Sequence, residues 1–366
     1  MHSVAVFTDT YLPTVNGVTY TVKAWRDCWA DRGGRMDVVY PRTDGYAARA
    51  GEYPVRSLPF PFYSGFRLGT PWIPRRVRDA EVVHAHTPFA VGLAGLRLAR
   101  RTDRPFVASY HTPTSEYADY VAPSDAVERL VERASERYER WFLDHADAVL
   151  APSEATAEHL DDVGVETPVT VIPNGIDTER FRPVDAAAFR SRHGLDDAET
   201  LIGYTGRHGY EKRLADVVDA AATLDATVVF GGDGPAHDEL EARAADRGVD
   251  ARFLGFLDRE ELPAFYSALD AFVFPSPIET QGLVALEANA CGTPVVGAND
   301  GALADTVEDG VTGYHFETGD VDSLRASIRR TLDERDALRE TCLEVRERHG
   351  VDHAVDRLAD VYERVS

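Results

Sequence analysis

The sequence predicts an α/β protein of two doubly wound domains, each a parallel sheet wrapped in helices. Three observations carry this reading. The chain has 366 residues, more than one ordinary core accommodates and suited to two. Short β-branched runs alternate from end to end with segments long enough for crossover helices. Near the middle, Ile172-Pro173-Asn174-Gly175 and Phe181-Arg182-Pro183 bracket a stretch of little periodicity, which suits a hinge between halves.

In the first half, strands are expected over residues 4–7, 36–39, 81–83, 106–109, 148–150 and 169–172. In the second they are expected over 201–204, 227–230, 251–254, 271–274, 294–297 and 314–316. Val127, Leu130, Val131, Ala134, Tyr138, Trp141 and Phe142 follow the i, i+3, i+4 rhythm of a helix between two of these strands. After the last strand the chain reads as helix over 324–338 and again over 351–365. The expected division is 1–175 for the first domain, 176–345 for the second, and 346–366 as a C-terminal helix returning toward the first. Two such sheets facing each other would set a cleft at the carboxyl ends of their strands.

Composition narrows the function classes. Apolar residues at 44% and charged residues at 28% are the balance of a soluble globular protein. The net charge of −23 is extreme, and Lys23 and Lys212 are the only lysines. Abundant carboxylates with almost no lysine fit a salt-rich, halophilic cytosol, where a charged surface is screened and hydrated. The same balance disfavours a general nucleic-acid binder, which needs a concentrated positive face. Cys28, Cys291 and Cys342 are widely spaced and read as reduced thiols. The chain opens directly on Val4-Ala5-Val6-Phe7 without the pattern of a signal peptide. No apolar run approaches the roughly 20 residues of a membrane span. A cytoplasmic protein with at most peripheral membrane contact is expected.

The strongest chemical signal is Glu279-Thr-Gln-Gly-Leu-Val-Ala-Leu-Glu287, which follows a strand and the turn Pro275-Ser276-Pro277. Gly282 falls where a helix would begin, so the backbone N–H groups of Gly282 and Leu283 can face an anion. Glu279, with Gln281, would lie in the loop beside a ligand. Glu287, about two turns along, could accept two ribose hydroxyls. The second signal is Gly206-Arg207-His208-Gly209-Tyr210-Glu211-Lys212, read as opening a helix over 213–222. Arg207 and Lys212 there could clamp a diphosphate.

Gly231-Gly232-Asp233-Gly234-Pro235 fails as a dinucleotide fingerprint, because His237 replaces the third glycine. It either lets backbone approach a ligand or makes a tight turn. In the first half, Asn16-Gly17-Val18 would let backbone approach phosphate or sugar. His111 follows a strand at its carboxyl edge, as a structural histidine or a functional one. His84 and His86 follow another, and without a third ligand they read as cleft wall in preference to a metal site.

Together these motifs resemble the retaining GT-B glycosyltransferases, family 4 (glycosyl transferases group 1), whose domains are Rossmann-like. The resemblance runs through Thr8-Asp9-Thr10-Tyr11-Leu12-Pro13 with Asn16-Gly17-Val18, Val83-His84-Ala85-His86, Ile172-Pro173-Asn174-Gly175-Ile176-Asp177, Gly206-Arg207, Glu211-Lys212, Gly232-Asp233-Gly234-Pro235 and the Glu279/Glu287 motif. It implies a UDP- or GDP-sugar donor, with Arg207 and Lys212 on the diphosphate, Glu287 on the ribose and Glu279 on the transferred sugar. Gly17 would approach the phosphates, His111 would lie beside the sugar, and Gly255-Phe256-Leu257 would border the base. It also implies no bound metal or cofactor beyond the nucleotide sugar. Where the family usually has an aliphatic residue after Gly-Arg and glycine after Lys, this chain has His208 and Arg213, which bears on the donor pocket.

Ser109-Tyr110-His111-Thr112 with Glu116-Tyr117 and Asp119-Tyr120, and Pro275-Ser276 before Glu279, look like the branch that glycosylates diacylglycerol-type lipids. Related mannosyl- and sulfoquinovosyl-transferases share some of these features. The acceptor implied is a lipid or lipid-linked glycan. Phe60, Phe62, Tyr63 and Phe66, broken by Pro59, Pro61 and Gly65, add a loop for a membrane interface or for packing on the sheet edge. Arginines 129, 133, 137 and 140 interleave with Glu128, Glu132, Glu136 and Glu139, which predicts a salt-bridged exposed helix. The rivals are transfer to a soluble sugar or polysaccharide, a nucleotide-sugar 2-epimerase, a pyridoxal-phosphate phosphorylase and a binding module without catalysis. The phosphorylase needs a Schiff-base lysine, and Lys212 is better explained by diphosphate.

Overall fold

The structure is a computed structural model and describes residues 1–60, 67–111, 125–196 and 199–366; in helix 125–143 the side chains of 125–130 and 132 are outside the description. Pro61, Phe62, Tyr63, Gly65 and Phe66 of the aromatic loop lie outside the described residues, as do Thr112, Glu116, Tyr117, Asp119 and Tyr120. The chain divides into two compact units, Met1–Gly175 with Val351–Ser366, and Ile176–Gly350.

The first unit runs β1 (Ser3–Phe7), α1 (Gly17–Asp31), β2 (Arg35–Pro41), β3 (Glu52–Val55), β4 (Ser57–Pro59), β5 (Arg67–Gly69), β6 (Val82–Ala85), α2 (Ala90–Thr102), β7 (Phe106–Ser109), α3 (Asp125–Leu143), β8 (Ala148–Ala151), α4 (Glu154–Val163) and β9 (Val169–Val171). Seven strands pair in parallel in the order β3-β2-β1-β6-β7-β8-β9, while β4 and β5 form a separate antiparallel pair. Alternation along β1 feeds both faces. Ala5 and Phe7 enter a core with Val91, Ala94 and Leu98 of α2, and Val4 and Val6 enter one with Val22, Trp25 and Trp29 of α1. β3 to β5 were not expected. Pro54 breaks the strand pattern, and it is tolerated because β3 is the sheet's edge.

The second unit runs α5 (Ala187–Arg192), β10 (Leu201–Thr205), α6 (Leu214–Ala221), β11 (Thr227–Gly231), α7 (His237–Arg247), β12 (Ala251–Gly255), α8 (Leu262–Ala268), β13 (Ala271–Phe274), α9 (Leu283–Ala290), β14 (Val295–Ala298), α10 (Leu303–Thr306), β15 (Gly313–Phe316), α11 (Val321–Asp333) and α12 (Arg335–Val345). Its six parallel strands follow the order β12-β11-β10-β13-β14-β15. Two differences from expectation concern helices. The single helix read over 324–338 is two, broken at Glu334, and the helix read over 213–222 begins only at Leu214.

The last helix, α13 (Val351–Val365), packs on the same sheet face as α1, burying Val355, Leu358, Val361 and Tyr362. Its outer turn is tied by Arg32 to Asp352 at 2.8 Å. On α3, Arg140 pairs with Asp144 and Glu166, while Glu139 is buried. Among the described residues no helix is long and apolar enough to cross a membrane.

Candidate active site

Strand order reverses between β10 and β13 in the second sheet, and between β1 and β6 in the first. Ligands of open parallel sheets bind outside the carboxyl ends of strands at such reversals. Gly17 follows β1, and Gly206, Arg207, Lys212, Glu279, Gln281 and Gly282 follow β10 or β13, at these reversals. His111, Gly234 and Leu257 instead follow the neighbouring strands β7, β11 and β12.

In the second unit, the segment after β10 carries Gly206, Arg207 and Lys212, and the segment after β13 carries Ser276, Glu279, Gln281 and Gly282. They converge. Lys212 Nζ lies 2.7 Å from Glu279 Oε1 and 3.5 Å from both Ser276 Oγ and the Ile278 carbonyl oxygen. Arg207 pairs with Glu211 at 2.5 Å and stays open to solvent on one side. Gly282 caps α9 in the left-handed region, φ 77°, so the chain turns sharply from the Glu279 loop into the helix. Gln281 is buried and its carbonyl accepts from Thr306 Oγ1, which anchors that turn, and Leu283 follows half-buried.

Two turns along α9, Glu287 is buried to 4% exposure. Burial pushes its carboxyl above the ordinary range, opposed by the charge of Arg259 and the hydroxyl of Tyr266. Tyr266 Oη donates to it at 2.9 Å and Arg259 stands 3.3 Å away. The sequence reading named Ser276 only as part of a turn and a branch motif, and missed Arg259 and Tyr266. Arg259 follows the end of β12, while Tyr266, inside α8, left no local signal.

The glycine-rich turn Gly231–Pro235 is explained by backbone contact. His208 donates its N–H to the Asp233 carbonyl and accepts from Ala236 N, each at 2.9 Å. A Cβ at Gly232, φ 105°, would sit 1.9 Å from the Gly206 carbonyl oxygen, and one at Gly234 would sit 2.6 Å from that of His208. The turn therefore clasps the Arg207 loop. The two departures from the family pattern have structural roles in this loop: His208 packs inside the unit and Arg213 follows Lys212 directly at the start of α6. His208 is fully buried, stacked on His237 at 5.4 Å with Nε2 on the Gly231 carbonyl. Arg213 takes the left-handed conformation, φ 53°, between a 3-10 turn over Tyr210–Lys212 and α6, a place that glycine fills without strain. In the loop after β12, Leu257 is buried and Phe256 is 66% exposed.

In the first unit, Gly17 is the exposed first residue of α1, capped by Asn16, whose Oδ1 accepts from Thr19 N at 2.8 Å. Asp9, given no role by the sequence reading beyond its place in the Thr8–Pro13 motif, is buried at the start of α2. Its carboxylate accepts from Thr87 Oγ1, Val91 N and Gly92 N, so it caps α2, and burial lifts its carboxyl to about 6. His111 is buried at the end of β7, its Nε2 2.8 Å from His86 Nδ1. Burial depresses His111 to about 4 and His84 to about 3, and His86 falls well below the ordinary imidazole value, so all three are neutral near pH 7. Among the described residues no group of three or more His, Cys, Asp or Glu side chains is placed to hold a metal.

Two parallel-sheet Rossmann-like units are the GT-B architecture, and the family models that match the chain make it that of a glycosyltransferase. The chain belongs to glycosyltransferase family 4: residues 15–180 match the model of Glycosyltransferase Family 4 and residues 185–348 that of Glycosyl transferases group 1. It is 32% identical over 309 residues to a 2-deoxystreptamine glucosyltransferase of Streptomyces kanamyceticus, covering 80% of this chain and 79% of that one. It is 29% identical over 331 residues to an alpha-monoglucosyldiacylglycerol synthase of Streptococcus pneumoniae, covering 85% and 74%. The solved structure of Anabaena Alr3699/HepE in complex with UDP-glucose shares the fold, with a TM-score of 0.78 at 20% identity over 99% of this chain and 100% of that one.

Proposed function

We propose that the protein is a retaining hexosyltransferase that moves a hexose from a UDP- or GDP-sugar to a lipid or lipid-linked acceptor, without a resident metal. The observation that carries this reading is the convergence of Lys212 and Glu279 at 2.7 Å beside the Gly282 cap of α9. Breaking the sugar–phosphate bond places negative charge on the diphosphate. Lys212 and Arg207, with the N–H groups of Gly282 and Leu283, offset that charge as it forms. Glu287 takes the ribose hydroxyls, kept in place by Tyr266 and Arg259. Glu279 aims Lys212 and meets the transferred sugar, with Gln281 in the same turn. Gly206 and Gly234 shape the Arg207 loop, and Leu257 underlies the loop that borders the base. Gly17 approaches the phosphates, and His111 offers a neutral imidazole to the sugar.

The lipid acceptor is supported by the Ser109–His111 segment and by the name of the diacylglycerol-glycosylating relative. The name of the 2-deoxystreptamine relative favours a second reading, transfer to a soluble acceptor. A thermal-shift screen of UDP- and GDP-hexoses in molar salt identifies the donor. Transfer is then assayed on extracted membrane lipids and on soluble sugars, with NMR of the product's anomeric proton. An α-donor should give an α-linked glycolipid, undiminished by chelator. A β-linked product overturns retention, product only from soluble sugars overturns the lipid acceptor, and loss with chelator overturns metal independence.

A further inference from the structure

The first unit contains a column of histidines that the reaction as described uses only at one end. His111 stacks on His86 with ring centroids 5.1 Å apart and planes 10° from parallel. His86 in turn stacks on His84 at 4.2 Å. Trp25 covers both, its centroid 6.1 Å from His84 and 5.6 Å from His86. His84 is pinned at both nitrogens, Nε2 by Ser109 Oγ at 2.8 Å and Nδ1 by Tyr362 Oη of α13 at 2.7 Å. Rings held in this way cannot tilt without breaking a stack or a hydrogen bond.

The contact between His86 Nδ1 and His111 Nε2, at 2.8 Å, imposes a condition on protons. Two lone pairs at that distance repel and two N–H groups collide, so one proton lies between the nitrogens. Both rings are buried, which disfavours a second proton on either. The tautomer of His86 therefore dictates that of His111, because the nitrogen of a neutral imidazole that carries the proton is set by the hydrogen bond its other nitrogen makes. With Nε2 committed to His86, the state of His111 Nδ1, donor or acceptor, follows.

We propose that His86 is a positioning residue that locks the ring plane and a single tautomer of His111, with His84 and Tyr362 bracing it from behind. This rests on the placement of His111 beside the transferred sugar. A sugar hydroxyl then meets one defined donor or acceptor in every molecule, where a free imidazole would present both in turn.

The test reads protons directly. The full chain labelled with 15N-histidine is compared with His86→Leu and His86→Asn by imidazole NMR in molar salt. Wild type should show one His111 tautomer. His86→Leu keeps the packing volume but removes the bond, so His111 should show averaged nitrogen shifts. His86→Asn can place its amide where His86 Nδ1 stood, facing His111 Nε2, and should restore one tautomer. Losing one such hydrogen bond is worth roughly tenfold in rate, so turnover over the UDP- and GDP-hexose panel should fall about that much in His86→Leu, with donor KM little changed, and recover in His86→Asn. If His86→Leu melts early and cannot be labelled, the wild-type and His86→Asn spectra still decide. A mixed His111 tautomer in wild type, or an unchanged single one in a folded His86→Leu, overturns the proposal. Full turnover by His111→Ala would instead remove His111 from the sugar site and leave the tautomer result standing.

Discussion

Removing the Lys212 ammonium tests the diphosphate clamp, but its ion pair with Glu279 supplies a competing explanation. Both side chains are only 18% exposed and their charged atoms are 2.7 Å apart, so Lys212 could serve merely to neutralise Glu279. The two accounts separate in a double-mutant cycle. Under the clamp account, Lys212→Met loses a cation that acts on charge developing in the transition state, a loss of about 10²–10³-fold in kcat. It also leaves the Glu279 carboxylate facing the diphosphate unopposed. A full unit charge at about 4 Å and an effective dielectric near 20 is worth about 4 kcal/mol. At saturating donor, however, only the charge that develops on the diphosphate between bound donor and transition state counts, and about a third of a unit makes repulsion about 1.4 kcal/mol of the loss. Adding Glu279→Gln removes the repulsion and should recover about tenfold, no more, because the missing cation is not replaced. Single-turnover transfer at saturating donor measures this, with melting curves confirming that each variant folds. A double variant within a few-fold of wild type would refute the clamp and reduce Lys212 to a counter-ion.

Three further outcomes follow from the structure. His84, His86 and His111 have folded pKa values below their unfolded values, so their contribution is full above pH 6.5 and is lost as pH falls toward 4 and 3. Asp9, raised from 3.8 to about 6, acts in the opposite sense across part of that window. Glu287, also raised by burial, acts in the same opposite sense as Asp9. The three histidines outweigh these two carboxyls, and urea midpoints should drop between pH 6.5 and 4 in wild type but less in His84→Asn, so equal drops in the two contradict the buried neutral column. Gly232→Ala places a methyl 1.9 Å from the Gly206 carbonyl oxygen, and the Arg207 loop must move. Destabilisation of about 2–4 kcal/mol by urea titration is expected, and wild-type stability would contradict the clasp. With a net charge of −23, melting temperature should rise from dilute buffer to molar potassium chloride, and equal values would dispose of the halophilic reading.

The parallel sheets were legible because a buried strand leaves a short apolar run whatever it pairs with, as 271–274 and 227–230 show. The Gly282 turn was legible because left-handed backbone selects glycine within a local segment. Arg213 shows the limit of that signal: the same conformation is held there by an arginine paired with Asp216 at 2.8 Å. Pairings distant along the chain left no mark. Nothing local to Glu287 announces Tyr266, and nothing near His84 announces Tyr362, 278 positions away. Pro54 hid β3 because only its place at the sheet edge makes a proline acceptable there.

The return of α13 to the first unit makes the second unit, in chain order, an insertion. A Cβ at Gly175 would lie 2.7 Å from Val351 Cα, so the points where the first unit stops and resumes are neighbours. On the far side, Ile176 N donates to the His349 carbonyl at 2.8 Å, so the inserted unit's own ends also meet. During synthesis the seven-stranded sheet leaves the ribosome with one flank bare. The face lined by Trp25, Trp29 and His84 waits through 175 intervening residues, Ile176–Gly350, for Tyr362 and its helix. A released fragment ending at Gly350 would leave that aromatic face uncovered after its second unit has folded, and it should bind a hydrophobic dye that the full chain does not. A chain in which a short turn joins Gly175 directly to Val351 would shorten that wait to almost nothing.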